Sequence, residues 1–284
     1  NPLTNSAIMA PFISLVMTMN VFIGPIRYFI PQMADNLQIF MLPALTVWGL
    51  IWLALMRMEI KLLAISFKNS FDISKISFGW LLHPFALAML TVTGTGIAAL
   101  AKAPEVAHTA AMFSVISGTM GFFLLTVKTI TIFKSHFAAD GLPEKQFLPS
   151  FLIVVPNITL YAISAFRLGH YLEHQFSAEI GSYYLIIMVT AFAFETWYLM
   201  FGLSLLKDYF KNHFSKEYYV SQWGLVCPIV AYAVLTSFVY KVFVPSPILY
   251  WLVIATLIAV ILLFGVLLKK HCGCKRGSTK IDCA

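Results

Sequence analysis

The chain has 284 residues, of which 60% are hydrophobic and only 11% are charged, whereas a soluble domain carries about 25% charged residues. This composition excludes an ordinary soluble globular protein and favours an integral membrane protein with lipid as its solvent. The net charge of +7 then predicts an orientation in the bilayer rather than a nucleic-acid partner.

Apolar segments long enough to cross a bilayer, which takes about 20 residues per helix, follow one another along the chain. Polar breaks rich in Pro and Gly separate them. The eight predicted segments are residues 7–30, 37–64, 77–101, 105–136, 146–174, 179–211, 218–243 and 247–270. The sequence therefore predicts an all-α integral membrane protein. It also predicts one transmembrane domain over residues 1–271, followed by a basic, cysteine-containing tail over 272–284.

Basic residues are unevenly divided between the two sides of the predicted bundle. Fourteen Lys and Arg residues lie in the loops that follow even-numbered segments or in the tail, against four on the other side. The positive-inside rule then places those loops and the C-terminal tail in the cytoplasm. We expect the protein to lie in the plasma (inner) membrane.

Prolines recur at a nearly constant interval, each several residues into an odd-numbered segment. They are Pro11, Pro84, Pro156 and Pro228, spaced by 73, 72 and 72 residues, and Lys61, Lys134 and Lys207 repeat at 73. We interpret the pattern as four copies of one helical hairpin, over about 7–64, 77–136, 146–211 and 218–270. Proline removes one helix hydrogen bond, so four kinked helices around a partly wet axis are predicted. Ordinary packing kinks are the alternative.

Polar residues recur eight or nine residues after each proline, and aromatic residues recur ten or eleven residues after three of the four. The polar set is Asn20, Thr93, Ser164, Thr236 and Ser237, and the aromatic set is Phe22, Phe166 and Phe238. The second copy has Gly94-Thr95-Gly96 in place of the ring. Such residues can line a pore with weak polar contacts and an aromatic constriction, or they can simply pack helices together.

Two stretches carry a resemblance to a known family. They are Trp223-Gly-Leu-Val-Cys-Pro228, and the fifth segment from Leu148-Pro149 to Val155-Pro156. The first segment from Pro11 to Phe22 is loosely similar as well. On these residues the chain resembles the tellurite-resistance and dicarboxylate transporter family, which includes the plant guard-cell slow anion channels.

The resemblance implies helical hairpins around a central pore, with Pro-kinked inner helices, a Phe that blocks the pore, and often a homotrimer. It also implies ten spanning helices in five hairpins, whereas this sequence predicts eight in four. The chain opens at Asn1 without Met, so we expect that either a leader was removed or the sequence is trimmed. Cys227 stands where the family tends to have Phe before the proline.

Glu195, Arg167 and Lys128 are charged residues inside predicted spanning segments. Glu195, in the sixth segment, must face protein or water because a charge in the bilayer costs at least about 2.5 kcal/mol. It serves either proton coupling, a gate ion pair or a structural hydrogen bond. Arg167 either attracts anions to a pore or extends its side chain to the outer interface. Lys128, nearer the cytoplasmic end, is predicted to reach the interface in the same way.

Histidine and cysteine suggest further alternatives. His170-x-x-Glu173-His174 matches a zinc-protease spacing but falls at a helix end, so we predict no metal and no cofactor. A haem-bearing redox subunit remains an alternative, as does a proton-coupled exporter that uses Glu195. The tail cysteines Cys272, Cys274 and Cys283 are expected to be thiols in a reducing cytoplasm.

The sequence thus predicts a channel or passive transporter for small inorganic or carboxylate anions, and not an enzyme. The expected partners are the lipid bilayer and the anions, with a homotrimer as the assembly and no nucleic acid. The predicted gate rings are Phe22, Phe166 and Phe238.

Overall fold

The structure, a computed structural model, describes residues 6–68, 76–138, 141–276 and 282–283. Within these ranges, seven helices are long and apolar enough to cross a membrane, and a shorter apolar helix covers Ala7–Ile23. The seven are Leu37–Lys68, Phe78–Leu100, Pro104–Ala138, Leu148–Phe176, Gly181–Leu205, Val220–Phe243 and Pro247–Cys274. The predicted all-α membrane class is confirmed.

The α-helices are numbered in chain order. They are α1 (Ala10–Ile23), α2 (Ile26–Phe29), α3 (Pro31–Asp35), α4 (Leu37–Lys68), α5 (Leu82–Leu100), α6 (Pro104–Ala138), α7 (Val154–Phe176), α8 (Gly181–Leu205), α9 (Lys207–Asn212), α10 (Val226–Phe238) and α11 (Pro247–Arg276). A π-helix, Val239–Phe243, continues α10. Two short strands, β1 (Glu217–Tyr218) and β2 (Asp282–Cys283), pair in parallel.

A 3-10 helix precedes each of the four helices that carry a repeated proline. These 3-10 helices are Ser6–Met9, Phe78–Leu81, Leu148–Ile153 and Val220–Leu225. The prolines lie several residues into their apolar segments, in the first turn of α1, α5, α7 and α10. The first α-turn tolerates proline because its backbone N–H groups have no intrahelical acceptor. The proline repeat therefore marks the change from 3-10 to α geometry in every copy.

The first predicted segment, 7–30, is shorter than expected. Helix α1 ends at Ile23, and Gly24 and Pro25 form a turn before α2. Proline lacks the N–H that would continue the helix, and its ring clashes with the preceding turn. The first hairpin of the repeat therefore starts with a 14-residue α-helix and not with a full-length span.

The described chain divides into two compact units. Unit 1 comprises residues 1–73, 80–131 and 160–187, and unit 2 comprises residues 74–79, 132–159 and 188–284. In unit 1, α5 is the central helix, with α1 and α4 packed against it. Every residue from His83 to Ala98 is buried, so this helix forms the core of the unit.

In unit 2, α10 packs along α11 and the 3-10 helices 148–153 and 220–225 pack together. The ring of Phe151 stacks on that of Tyr198, with centroids 5.2 Å apart. Lys270, at the far end of α11, donates to the carbonyl oxygens of Phe214 and Glu217. These contacts fix the loop between α9 and α10 against the end of α11.

The last helix extends into the segment predicted as the C-terminal tail. Helix α11 continues to Arg276, five residues past the predicted end of the membrane domain. Cys227 and Cys272 are free, whereas Cys274 is disulfide-bonded. The expectation that Cys274 is a thiol is therefore wrong. The side chain of Cys283 lies outside the described residues.

Candidate functional site

Three helices of unit 1 converge on the guanidinium of Arg167. Its Nη1 donates to Asn20 Oδ1 of α1 at 2.9 Å and to the Val92 carbonyl oxygen of α5 at 2.6 Å. Arg167 itself lies on α7 and is half-buried. Both of these acceptors are neutral, and the two bonds fix the position of the guanidinium. The side chain is therefore held among the helices, in contrast to the alternative in which it extends to the outer interface.

A glycine makes room for this guanidinium. A Cβ added at Gly96 would lie 2.9 Å from Nη1 of Arg167, closer than real Cβ contacts allow. Gly96 belongs to the Gly94-Thr95-Gly96 stretch that replaces the aromatic ring in the second repeat copy. At position 96 of α5, the space that a side chain would take is occupied by Arg167 of α7.

The predicted pore hydroxyls are engaged with backbone carbonyls. Thr93 donates to Met89 O at 3.0 Å and to Val16 O of α1 at 3.3 Å. The others donate within their own helices, Ser164 to Leu160, Thr236 to Tyr232 and Ser237 to Val234. Bonding to a carbonyl one turn back is the usual arrangement of Ser and Thr inside helices. In this structure the hydroxyls therefore stabilise their own helices and, in the case of Thr93, the contact between α5 and α1.

The three predicted gate rings have different surroundings. Phe22 on α1 is 43% exposed and meets Phe40 edge to face. Phe166 on α7 is buried and its ring contacts those of His170 and Tyr184. Phe238 is the last residue of α10, in unit 2. The gate role of each stays a prediction.

Glu195 is fully buried in unit 2, at 0% exposure. Its Oε1 accepts a hydrogen bond from the Thr159 hydroxyl at 2.6 Å, while its Oε2 is buried without a hydrogen-bond partner among the described residues. The carboxyl faces protein, as an intramembrane acid must. Within the described ranges it makes no salt bridge, so the structure offers no support for a gate ion pair at this residue.

A second buried charged group was missed in the sequence. Glu59 on α4 and His83 on α5 are 2% and 3% exposed, with His83 Nδ1 3.0 Å from Glu59 Oε1. Lys128 of α6 is buried too, and its Nζ lies 4.5 Å from the centroid of the Trp80 ring. Whether Lys128 reaches the interface stays a prediction. The available signal was Glu59 itself, an acid inside a predicted apolar segment, to which the rule used for Glu195 applies equally.

The histidine pair at the end of α7 does not assemble a metal centre in the part of the chain that the structure describes. There, no group of three or more His, Cys, Asp or Glu residues could hold an ion. His170 Nδ1 instead lies 3.2 Å from Glu173 Oε2, and the ring packs beside Tyr184.

Comparison with known proteins identifies one family. A family model described as voltage-dependent anion channel matches residues 2–272, which is nearly the whole chain. No curated protein matches the chain, and neither does any solved structure.

Proposed function

The chain belongs to the voltage-dependent anion channel family, and from that membership we propose that Arg167 is the cation that draws anions into the protein. Members of this family are anion channels and transporters, so the protein carries small anions across a membrane. The resemblance inferred from the sequence is thereby confirmed. Neither the haem-bearing subunit nor the proton-coupled exporter is favoured by any observation.

The observation that carries the proposal is the position of the Arg167 guanidinium. It lies within the membrane-spanning part of unit 1, and its hydrogen bonds to Asn20 and to the carbonyl oxygen of Val92 hold it in place. A fixed positive charge in a low-dielectric surrounding raises the local concentration of anions. The absence of a side chain at Gly96 supports the same role, since it lets the guanidinium lie directly against the backbone of α5.

The predicted pore lining extends this proposal. We propose that anions pass along the proline-bearing helices, of which α5 and α7 belong to the two most buried spans among the described residues. Small and hydroxyl-bearing residues on these helices supply weak polar contacts. Phe22, Phe166 and Phe238 remain the proposed constriction.

Orientation and assembly also belong to the proposal. The excess of Lys and Arg after even-numbered helices supports a cytoplasmic C-terminus in the plasma (inner) membrane. A homotrimer is proposed from the family resemblance alone.

Replacement of Arg167 tests the function. Purified protein in liposomes should carry chloride, nitrate, sulfite or malate, whereas empty liposomes should not. For Arg167→Gln we expect chloride flux to fall about tenfold, since an anion roughly 10 Å from a unit charge gains on the order of 1.5 kcal/mol at an effective dielectric of about 20. Arg167→Lys should retain part of the flux.

The matched control is Lys102→Gln, which removes the same charge from an exposed position of unit 1. Its flux should stay within twofold of the wild type. Equal losses for Arg167→Gln and Lys102→Gln would show that only overall charge matters and would remove Arg167 from the proposed site.

A further inference from the structure

The Glu59, His83 and Lys128 cluster has no part in the function proposed above, yet it holds three titratable side chains from three helices. All three are more than nine-tenths buried, with exposures of 2%, 3% and 7%. Burial of ionisable groups is costly unless they compensate one another. We therefore ask which function three buried ionisable side chains in unit 1 could serve.

The imidazole is the centre of this cluster. His83 Nδ1 donates towards the Glu59 carboxylate, 3.0 Å from Oε1 and 3.3 Å from Oε2. On the other side of the ring, Nε2 is buried and has no hydrogen-bond partner among the described residues. The Lys128 ammonium lies over the Trp80 ring and interacts electrostatically with Glu59.

The net charge of the cluster depends on how many protons its side chains hold. With Glu59 ionised, the cluster is neutral when only one of the two bases, His83 and Lys128, carries an extra proton. A second proton makes the cluster positive by one unit. Histidine is the side chain that ordinarily changes charge between about pH 5 and 8. We infer that Glu59, His83 and Lys128 form a proton-binding site whose gain of positive charge increases anion transport as the pH falls.

The surrounding elements contain few competing groups. Tyr161 of α7 also interacts electrostatically with Glu59, and its hydroxyl donates to Pro84 O at 3.1 Å, but phenols ordinarily stay neutral below about pH 10. Arg57 and Lys61 on α4 are exposed. Helix α1 and the 3-10 helix before it, which pack on α5, carry no ionisable side chain.

Helix α5 connects the cluster to the Arg167 site. Val92, whose carbonyl oxygen holds Arg167, lies nine residues after His83, or about 14 Å along a helix. A unit charge at that distance in a partly buried setting changes the occupancy of an anion on the order of fivefold. This consequence for transport rests on the proposed function, whereas the proton site itself does not.

The test compares chloride flux at pH 5.5 and 7.5, with the same pH on both sides of the liposome. Wild type should be about fivefold faster at pH 5.5. His83→Gln should stay at the slower rate at both pH values, because its side chain cannot take up the proton. Glu59→Gln should stay near the faster rate at both, because loss of the carboxylate leaves the cluster more positive.

The control is His108→Gln, which removes a histidine of unit 1 whose Nδ1 lies 2.6 Å from the Tyr171 hydroxyl. It should keep the wild-type pH profile. Wild-type flux that does not change between pH 5.5 and 7.5, or a His83→Gln profile equal to that of the wild type, would overturn the inference.

A second measurement separates this inference from the transport proposal. NMR of protein labelled at the histidine rings identifies His83 as the signal lost in His83→Gln. A signal that titrates between pH 5 and 8 and moves in Glu59→Gln supports the proton site even if no anion flux is found. A His83 signal that does not titrate in that range refutes it, whatever the flux.

Discussion

Two membrane-spanning segments differ in how deeply they are buried in the protein. One is α5 with the 3-10 helix before it, and the other is α11. In the span Phe78–Leu100, 94% of the most apolar window is buried inside the protein, whereas in Pro247–Cys274 only 6% is. Yet the exposed helix is the more hydropathic of the two. In water the ranking would be reversed, because the apolar helix would occupy the core.

The difference shows how helices associate when lipid is the solvent. Lipid tails are as apolar as Leu, so apolar character does not drive a helix inwards, and small or hydroxyl-bearing residues form the contacts instead. Helix α5 carries Thr91-Val-Thr-Gly-Thr-Gly96 in its middle, whereas α11 carries Leu, Ile and Val. Trp48 of α4 lies against Gly94 and its Nε1 donates to Leu90 O at 2.9 Å.

The largest expected effect that tests this contrast is Gly94→Ala. Its Cβ would lie 2.1 Å from Ser114 Oγ and 2.3 Å from Trp48 Cζ2, so α4 and α6 must shift and stability should fall by about 2–3 kcal/mol. Gly265→Ala on α11 meets nothing within 4 Å and should be neutral or stabilising by up to about 1 kcal/mol. Thermal unfolding in detergent measures both. Equal melting temperatures would contradict the packing role assigned to Gly94.

A smaller effect is expected from removing one hydroxyl on each helix. Thr93 of α5 donates to Val16 O of α1 as well as to its own helix, so Thr93→Val should cost about 1 kcal/mol. Among the described residues, the Thr256 hydroxyl of α11 donates to the carbonyl oxygens of Leu252 and Val253 of its own helix. Thr256→Val should therefore change stability by less than about 0.5 kcal/mol. The same melting experiment distinguishes the two variants. If Thr256→Val lowers stability as much as Thr93→Val does, the different roles assigned to these two hydroxyls are wrong.

The smallest effect concerns the loop that holds the far end of α11. The Tyr219 hydroxyl, then His213 and Lys145, donate to the Glu217 carboxylate and lower its pKa. A lowered folded-state pKa contributes stability above the ordinary carboxyl range, near pH 4.3, and that stability is lost as the pH falls through the folded value.

Melting temperatures of wild type and Glu217→Gln measure this effect. The wild type should be slightly more stable at pH 7, and the difference should disappear towards pH 3. The exposed Glu179→Gln is the charge-matched control. A difference between wild type and Glu217→Gln that persists unchanged at pH 3 would assign the stabilisation to something other than the carboxylate charge.

Local patterns in the sequence predicted most of the fold. Segments 37–64 and 77–101 correspond to helices Leu37–Lys68 and Phe78–Leu100, because apolar length is a local property. The predicted first segment, 7–30, is too long because the turn at Gly24-Pro25 ends α1 at Ile23. The site was predicted only in parts: Arg167 and Asn20 were both selected, but not as hydrogen-bond partners.

By itself, the sequence determined the membrane class, the proline-marked repeat and the family, since each depends on residues close together along the chain or on their regular spacing. Only the tertiary structure decided which of these residues meet. The bond from Arg167 to Asn20 joins positions 147 residues apart, and the Glu59–His83 pair joins two helices. Such contacts depend on how each helix is rotated about its axis. In lipid, close packing of glycines and aromatic rings sets that rotation, and hydropathy does not.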